Sequence, residues 1–287
     1  MSIRNPDPFA FLSGDSLLRM GLTPISDQEW VAPFSRAEYE TFSQHKRSVL
    51  ERNPKALLVD GAADVALAEF YVALKQHLQR DHPGAVLSCS LDFHDPEAAT
   101  PAALLRKMTL WVPDDICILQ AEDGGEYQLT AVSVLSPSAW NPVAKFRRSL
   151  SDIHQPIPKF KQRLMPSVDR FFHHIKSGRP VVRYNWGIQQ GDRLDRMPGT
   201  EVVSEDCLYY RSERQTLLRL PGSQAVVFLI RTQLWELAKL DEMSGEENTL
   251  QRLLNHISGL SQEERDYKGL TGKRLTGLQC ALERLRN

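Results

Sequence analysis

The chain has 287 residues, 41% of them hydrophobic and 25% charged, with a formal net charge of -1. That is the composition of a soluble globular protein large enough to bury a core without covalent staples, and a balance so near zero excludes a global pull toward nucleic acid, an anionic membrane or an acidic partner, leaving only local patches. Its four cysteines, Cys89, Cys117, Cys207 and Cys280, are scattered without a CxxC pair, which excludes a zinc knuckle or a ferredoxin-type cluster and fits a reducing compartment.

Met1 to Pro8 is polar and proline-bearing, without the apolar centre of a signal peptide, and no apolar run reaches membrane-spanning length, so a cytoplasmic protein is expected. The first 35 residues mix Pro6, Pro8, Pro24 and Pro33 with Phe9, Phe11, Trp30 and Phe34, an arm expected to pack irregularly over a core. Ser35 with Glu38 forms a capping-box pattern for a helix to about Val49. Ala62 to Gln79 repeats apolar residues at helical spacing, and His82-Pro83-Gly84 is read as its stop. Thr100 and Pro101 begin a short helix to Met108.

After Val112 the period changes. Ile116 to Ala121 and Tyr127 to Leu135 read as strands around a glycine turn at Gly124-Gly125. Short helical pieces follow, broken by Pro156 and Pro158, with Val168, Phe171, Phe172 and Ile175 on one side of a helix from Ser167 to Lys176. Three strands come next, Val181 to Ile188, Cys207 to Leu220 and Gln224 to Gln233. Helices are expected at Leu234 to Met243, Glu247 to Leu254 and beyond Gln262. This is an α+β chain whose order of elements matches a PAS-like antiparallel sheet with crossover helices, wrapped by further N- and C-terminal helices. The corresponding division is a mostly helical part at 1–112, a core at 113–243 and terminal helices at 244–287.

Chemistry-bearing residues are sparse. His154 stands in Asp152-Ile153-His154-Gln155-Pro156-Ile157-Pro158, where two prolines stiffen the backbone. It serves either to cap a neighbouring carbonyl or to present a neutral imidazole to a metal. On the strand from Cys207, alternation puts Arg211, Glu213, Gln215 and Arg219 on one face and Arg214 with Thr216 on the other. These line a pocket or form an exposed charged strand with cross-strand ion pairs. There is no GxGxxG after a strand, no P-loop, no HExxH and no GxSxG.

Met20-Gly21-Leu22 with Trp30, Ser136-Pro137-Ser138-Ala139-Trp140, Ile153-His154-Gln155-Pro156-Ile157-Pro158, Asp169-Arg170-Phe171-Phe172, Arg183-Tyr184-Asn185-Trp186 and the string from Arg211 to Pro221 together resemble the heme-dependent oxidative N-demethylase family, and they occur in that family's order. The resemblance implies a PAS fold turned into a monooxygenase, in which heme and O2 oxidise a small methylated amine such as dimethylamine and release formaldehyde. Electrons would come from NADPH through flavin and iron–sulfur partner subunits. It makes His154 the favoured iron ligand, with His173, His174 or Tyr184 as rivals, and Arg183, Arg211, Arg214 and Arg219 the candidates for the heme carboxylates. Glu213 with Trp186 is the candidate pair for an ammonium substrate. Trp140 walls the cofactor cavity or is an ordinary core residue. A homo-oligomer is compatible with this reading. A non-catalytic heme or gas sensor, or a binding module with another pocket, is the competing reading.

Overall fold

The structure is a computed structural model; it describes residue 9 and residues 21–94, 100–121, 125–138, 141–155, 165–195, 208–245, 248–270, 272, 275–276, 278–280 and 283. Pro156 to Pro158, Trp140 and the start of the first glycine turn therefore lie outside the described residues.

Helix α1 (Arg36–Arg52) starts where the Ser35 side chain accepts the Glu38 amide at 3.2 Å. The other half of the capping box is replaced, because the Glu38 carboxylate accepts from Arg231 at 3.1 Å instead. Helix α2 (Asp64–Asp81) buries Leu67, Phe70, Leu74 and Leu78, the stripe its period announces. α2 stops at Asp81 with His82 as its C-cap, where His82-Pro83-Gly84 announces the stop, and Pro83 at once opens a further short helix, α3 (Pro83–Ser88), since a first-turn proline loses no hydrogen bond. Thr100 caps α4 (Pro101–Trp111) by accepting from Ala103 at 3.2 Å.

Seven described strands form one antiparallel sheet: β1 (Thr23–Pro24), β2 (Leu57–Val59), β3 (Asp115–Gln120), β4 (Gln128–Ser133), β5 (Val181–Gln190), β6 (Leu208–Arg219) and β7 (Val226–Glu236). Their order is β1-β5-β6-β7-β3-β4-β2. The two outermost strands are too short to announce themselves in sequence. β7 runs on through Leu234 to Glu236, where a helix was expected, because these residues pair with Arg211 to Tyr209 of the long β6. Between β4 and β5 lie α5 (Pro142–Lys145), α6 (Leu150–Ile153) and α7 (Met165–His174); after β7 come α8 (Leu240–Ser244), α9 (Thr249–Gly259) and α10 (Gln262–Tyr267).

The sheet is covered on both sides. Ile116, Ile118, Val227, Leu229 and Leu218 pack on one face with α2 and α4, and Trp30 is only 2% exposed among them. On the other face Cys117, Leu119, Leu217 and Val226 meet Leu150 of α6 and Val168 and Phe172 of α7. A third cluster joins Trp186, Ile188 and Tyr210 to Leu250, Leu253 and Ile257 of α9. Among the described residues no helix is long and apolar enough to cross a membrane.

One clasp holds helix to sheet at the β6–β7 turn. Glu69 of α2 accepts the amides of Gly222 and Ser223, each at 2.6 Å, and a Cβ on Gly222 would come within 3.0 Å of the Glu69 carboxylate. Two charge-assisted bonds of this kind are worth about 2 kcal/mol together. Glu69→Ala is therefore expected to lower unfolding free energy by about that amount in urea titration; a change below about 0.5 kcal/mol would show the clasp to be idle.

Candidate functional site

Unbroken antiparallel register sorts the side chains of β5 and β6. Arg183, Asn185, Gly187 and Gln189 lie opposite Gln215, Glu213, Arg211 and Tyr209, so these residues share the face that α6 and α7 cover. Tyr184 and Trp186 pair with Arg214 and Ser212 and look the other way. The first face is polar yet buried, with Arg211 2%, Glu213 8% and Gln215 9% exposed. Burying so many polar groups is costly unless partners or a ligand satisfy them.

Arg211 spends every donor it has on protein. Its Nε binds Glu213 Oε1 at 3.0 Å, one amino nitrogen reaches Gln189 Oε1 and the Leu194 carbonyl, and the other reaches Thr232 Oγ1 at 3.1 Å and the Ser136 carbonyl. A guanidinium has five N–H groups, and here five acceptors meet them. The expected carboxylate ligand of Arg211 is Glu213.

Glu213 is held as an anion. Burial by itself raises its pKa, but the Arg211 charge and hydrogen bonds from Asn185, Arg211 and Gln215 outweigh that and bring it below the usual carboxylate value. Among the described residues, Asn185 Nδ2 and Gln215 Nε2 both donate to Oε2, at 3.1 and 3.0 Å, while Oε1 receives Arg211 Nε alone. A carboxylate accepts about four hydrogen bonds, so one acceptor direction on Oε1 remains for a ligand.

Arg183 is the opposite of Arg211. Its Nε is buried with no acceptor, and its guanidinium makes no hydrogen bond to any described residue. Burial lowers its pKa, against the opposing pull of Tyr267 and Glu213. A half-buried cation with no acceptor among the described residues can take an anion from a ligand. Four residues along β5 on the same face, Gly187 has no atom within 4 Å of where a Cβ would stand, open space of the sort a ligand approaching the strand needs.

His154, at the C-terminal end of α6, brings Nδ1 to 2.8 Å from the Leu150 carbonyl. It thus caps a carbonyl, and doing so puts the proton on Nδ1 and the lone pair on Nε2, the tautomer a metal ligand needs. Burial, with smaller contributions from Arg183 and Lys145, lowers its pKa and keeps the ring neutral. His173 and His174 both lie exposed on α7, each bonded to the carbonyl four residues earlier at 2.7 Å.

The remaining candidates are placed elsewhere. Arg214 donates to the carbonyls of Glu29 and Trp30 on the opposite face. Arg219 reaches Tyr127 Oη at 2.6 Å and the Phe172 carbonyl, tying α7 to the strand end. Trp186 does not share a face with Glu213: it stacks on Tyr210 at 6.3 Å and meets His256 edge-on at 5.3 Å.

Sequence reasoning missed Lys268. Just after α10, its Nζ lies 4.3 Å from the centre of the Trp186 ring, donates to the Trp186 carbonyl, and approaches Asn185 Oδ1 at 3.5 Å. Burial drives its pKa down to about 7, opposed by Glu213 and Glu264 and assisted by Arg183. Nothing in the polar Tyr267-Lys268-Gly269 stretch announces a buried ammonium. The unfolded lysine stays protonated to about 10.5 while the folded one releases its proton near 7, so between those values the unfolded chain holds more protons and stability rises with pH. The difference in unfolding free energy between the native protein and Lys268→Met is therefore expected to move in favour of the native protein from pH 7 to 10; a pH-independent difference would show that Lys268 is not desolvated.

A further cluster of potential metal ligands among the described residues is the trio Asp27, His77 and Asp81. Arg80 already binds both carboxylates, and His77 Nε2 takes the Val31 amide at 3.4 Å. These ligand atoms are engaged.

Residues 21–274 match the sequence model of a family described as haem-dependent oxidative N-demethylase, alpha subunit-like.

Proposed function

The chain belongs to the haem-dependent oxidative N-demethylase, alpha subunit-like family, and from that premise we propose that the buried polar face of β5 and β6 holds heme and removes a methyl group from a small amine. The observation that carries this reading is Arg183, whose buried Nε has no acceptor among the described residues, on the same strand face as the open position at Gly187. A heme carboxylate is an anion of the right kind for it. His154 is the residue we assign to iron, with its Nδ1 bond to Leu150 orienting the ring. These donors fit the group the family name implies.

The strand order β4-β3-β7-β6-β5, with α5 to α7 crossing over between β4 and β5, supports a PAS-like core at 113–243. We take 1–112 as helices wrapped on that core and 244–287 as its C-terminal cover. Of the four arginines, Arg183 suits a heme carboxylate best. Arg211 instead orients Glu213, and Arg214 and Arg219 brace neighbouring elements.

When bound, heme supplies the activation of O2 that oxidises an N-methyl group. Glu213 binds the substrate ammonium through its remaining Oε1 acceptor direction, and Arg211, Asn185 and Gln215 keep that carboxylate ionised and aimed. Trp186, facing away, takes no part in holding the amine. The balance is one N-methyl amine, O2, two electrons and two protons giving the demethylated amine, formaldehyde and water. The electrons come from NADPH through flavin and iron–sulfur subunits, which suits a cytoplasmic setting.

Reconstitution with heme is expected to give a Soret band at one heme per chain. Formaldehyde should then form when dimethylamine, O2 and a reductant are supplied. Absence of the Soret band at stoichiometric heme removes the heme reading; a band without formaldehyde from any N-methyl amine assigns the chain to heme or gas sensing.

A further inference from the structure

Helix α10 ends in a way that fixes one side chain. Leu270 donates its amide to the Arg265 carbonyl at 2.8 Å and Gly269 to that of Asp266 at 3.0 Å, the paired bonds of a Schellman end. Gly269 takes the left-handed conformation this requires, at φ 63°, and Leu270, only 1% exposed, packs in the cluster of Trp186, Tyr210 and Ile257. Lys268 is the cap residue between these anchors. Its ammonium therefore has a set position, over the Trp186 ring, bonded to the Trp186 carbonyl and 3.5 Å from Asn185 Oδ1. Asn185 in turn stands between two opposite charges. Its Oδ1 faces Lys268 while its Nδ2 donates to Glu213 Oε2, and only one orientation of a side-chain amide serves a cation and an anion together.

We propose that Lys268 is a positioning residue of the amine site: through Asn185 it orients the Glu213 carboxylate, and it gives up its proton to solvent when a cationic amine binds there. The occupant rests on the demethylase reading above; the link from Lys268 to Glu213 does not. Two ammonium groups around one carboxylate repel each other, so one of them must yield. The amine keeps its proton, a lysine N–H bond breaks, and the proton passes to the buffer. The neutral lysine retains N–H donors for the Trp186 carbonyl and Asn185 Oδ1, so the orientation survives. Burial weighs most against the charge on Lys268, Glu213 favours it, Arg183 opposes it and Glu264 favours it. The other groups facing it do not release a proton near neutral pH. Glu213 is already ionised, burial keeps the Tyr267 phenol protonated and the His256 ring neutral, and the Arg183 guanidinium stays charged. Glu264 is engaged by the Ser261 amide at 2.9 Å.

The full chain, with heme supplied, is titrated calorimetrically with dimethylammonium chloride at pH 7 in phosphate and in Tris, whose ionisation heats differ. The expected release is roughly 0.3–0.5 proton per amine bound, and affinity should rise about fivefold from pH 6 to pH 8. Lys268→Met and Lys268→Arg should both bind the amine with release below about 0.1 proton and without that pH slope. Arginine keeps the charge and cannot shed it, so the same loss in both variants separates titration from packing. Release and slope that persist in either variant overturn the proposal. The link itself is read without ligand. The lysine ε-carbon NMR titration that Lys268→Met removes should move down by about half a pH unit or more in Glu213→Gln, since the anion that favours the ammonium is gone. A titration indifferent to Glu213→Gln overturns the link whatever the amine does. Absent amine binding, with that displacement present, overturns the amine reading and upholds the link.

Discussion

Arg211→Met is expected to be the most damaging single change in the molecule, lowering unfolding free energy by about 3–5 kcal/mol. The loss does not come from the ion pair as such. It comes from what is left behind: a Glu213 carboxylate 8% exposed, facing Arg183 but deprived of its bonded cation, and four further acceptors from Gln189, Leu194, Ser136 and Thr232. Those acceptors belong to β5, the segment after it, the end of β4 and β7, so one side chain fastens four parts of the fold. The double variant Arg211→Met, Glu213→Leu removes the stranded charge as well, and should recover about 1–3 kcal/mol of the loss. Denaturant titration of both variants decides this. A double variant less stable than the single would mean that the carboxylate has another strong cation, and Arg183 would be the place to look.

His154→Ala carries the largest expected effect on activity. If Nε2 is the iron ligand, its removal should shift or abolish the Soret band and lower formaldehyde release by about 100-fold or more, a loss at least as large as that of a supporting residue. Added imidazole should restore part of the spectrum by filling the space. His173→Ala and His174→Ala, both at exposed positions on α7, should leave spectrum and activity unchanged. An unaltered spectrum in His154→Ala with an altered one in either of the others would move the ligand to α7.

The long elements were legible because their signals are local. The helical period of α2, the Thr100 cap and the apolar run of β7 each sit within a dozen residues of sequence. So does the alternation that separates Arg211 and Glu213 from Arg214. The two-residue and three-residue strands at the sheet margins were not legible, since their partners are distant and their own sequence is too short to carry a period. His82-Pro83-Gly84 marked the end of α2 but not the start of α3, because a proline that ends one helix is equally suited to begin the next.

At the site the limit was of another kind. Strand parity shows which side chains share a face but not which of them are already satisfied. Arg183 and Arg211 look alike in sequence; only the positions of Ser136, Gln189, Leu194 and Thr232 make one a structural tie, while the Nε of the other has no acceptor among the described residues. Lys268 comes from the far end of the chain and gains its environment wholly from β5 and its neighbours. Trp186 was assigned to the amine for its aromatic face, yet a single step along a strand turns a side chain to the opposite layer.

Among the described residues, β1 pairs with Val181 and Val182 alone, so most of the outer margin of β5 has no neighbouring strand. Lys268 meets that margin at the Trp186 carbonyl, and Pro24, having no amide hydrogen, cannot extend the pairing outward. An unpaired strand margin can template a second molecule; at the two described points, the Lys268 ammonium on the Trp186 carbonyl and the missing amide hydrogen of Pro24 oppose such outward pairing.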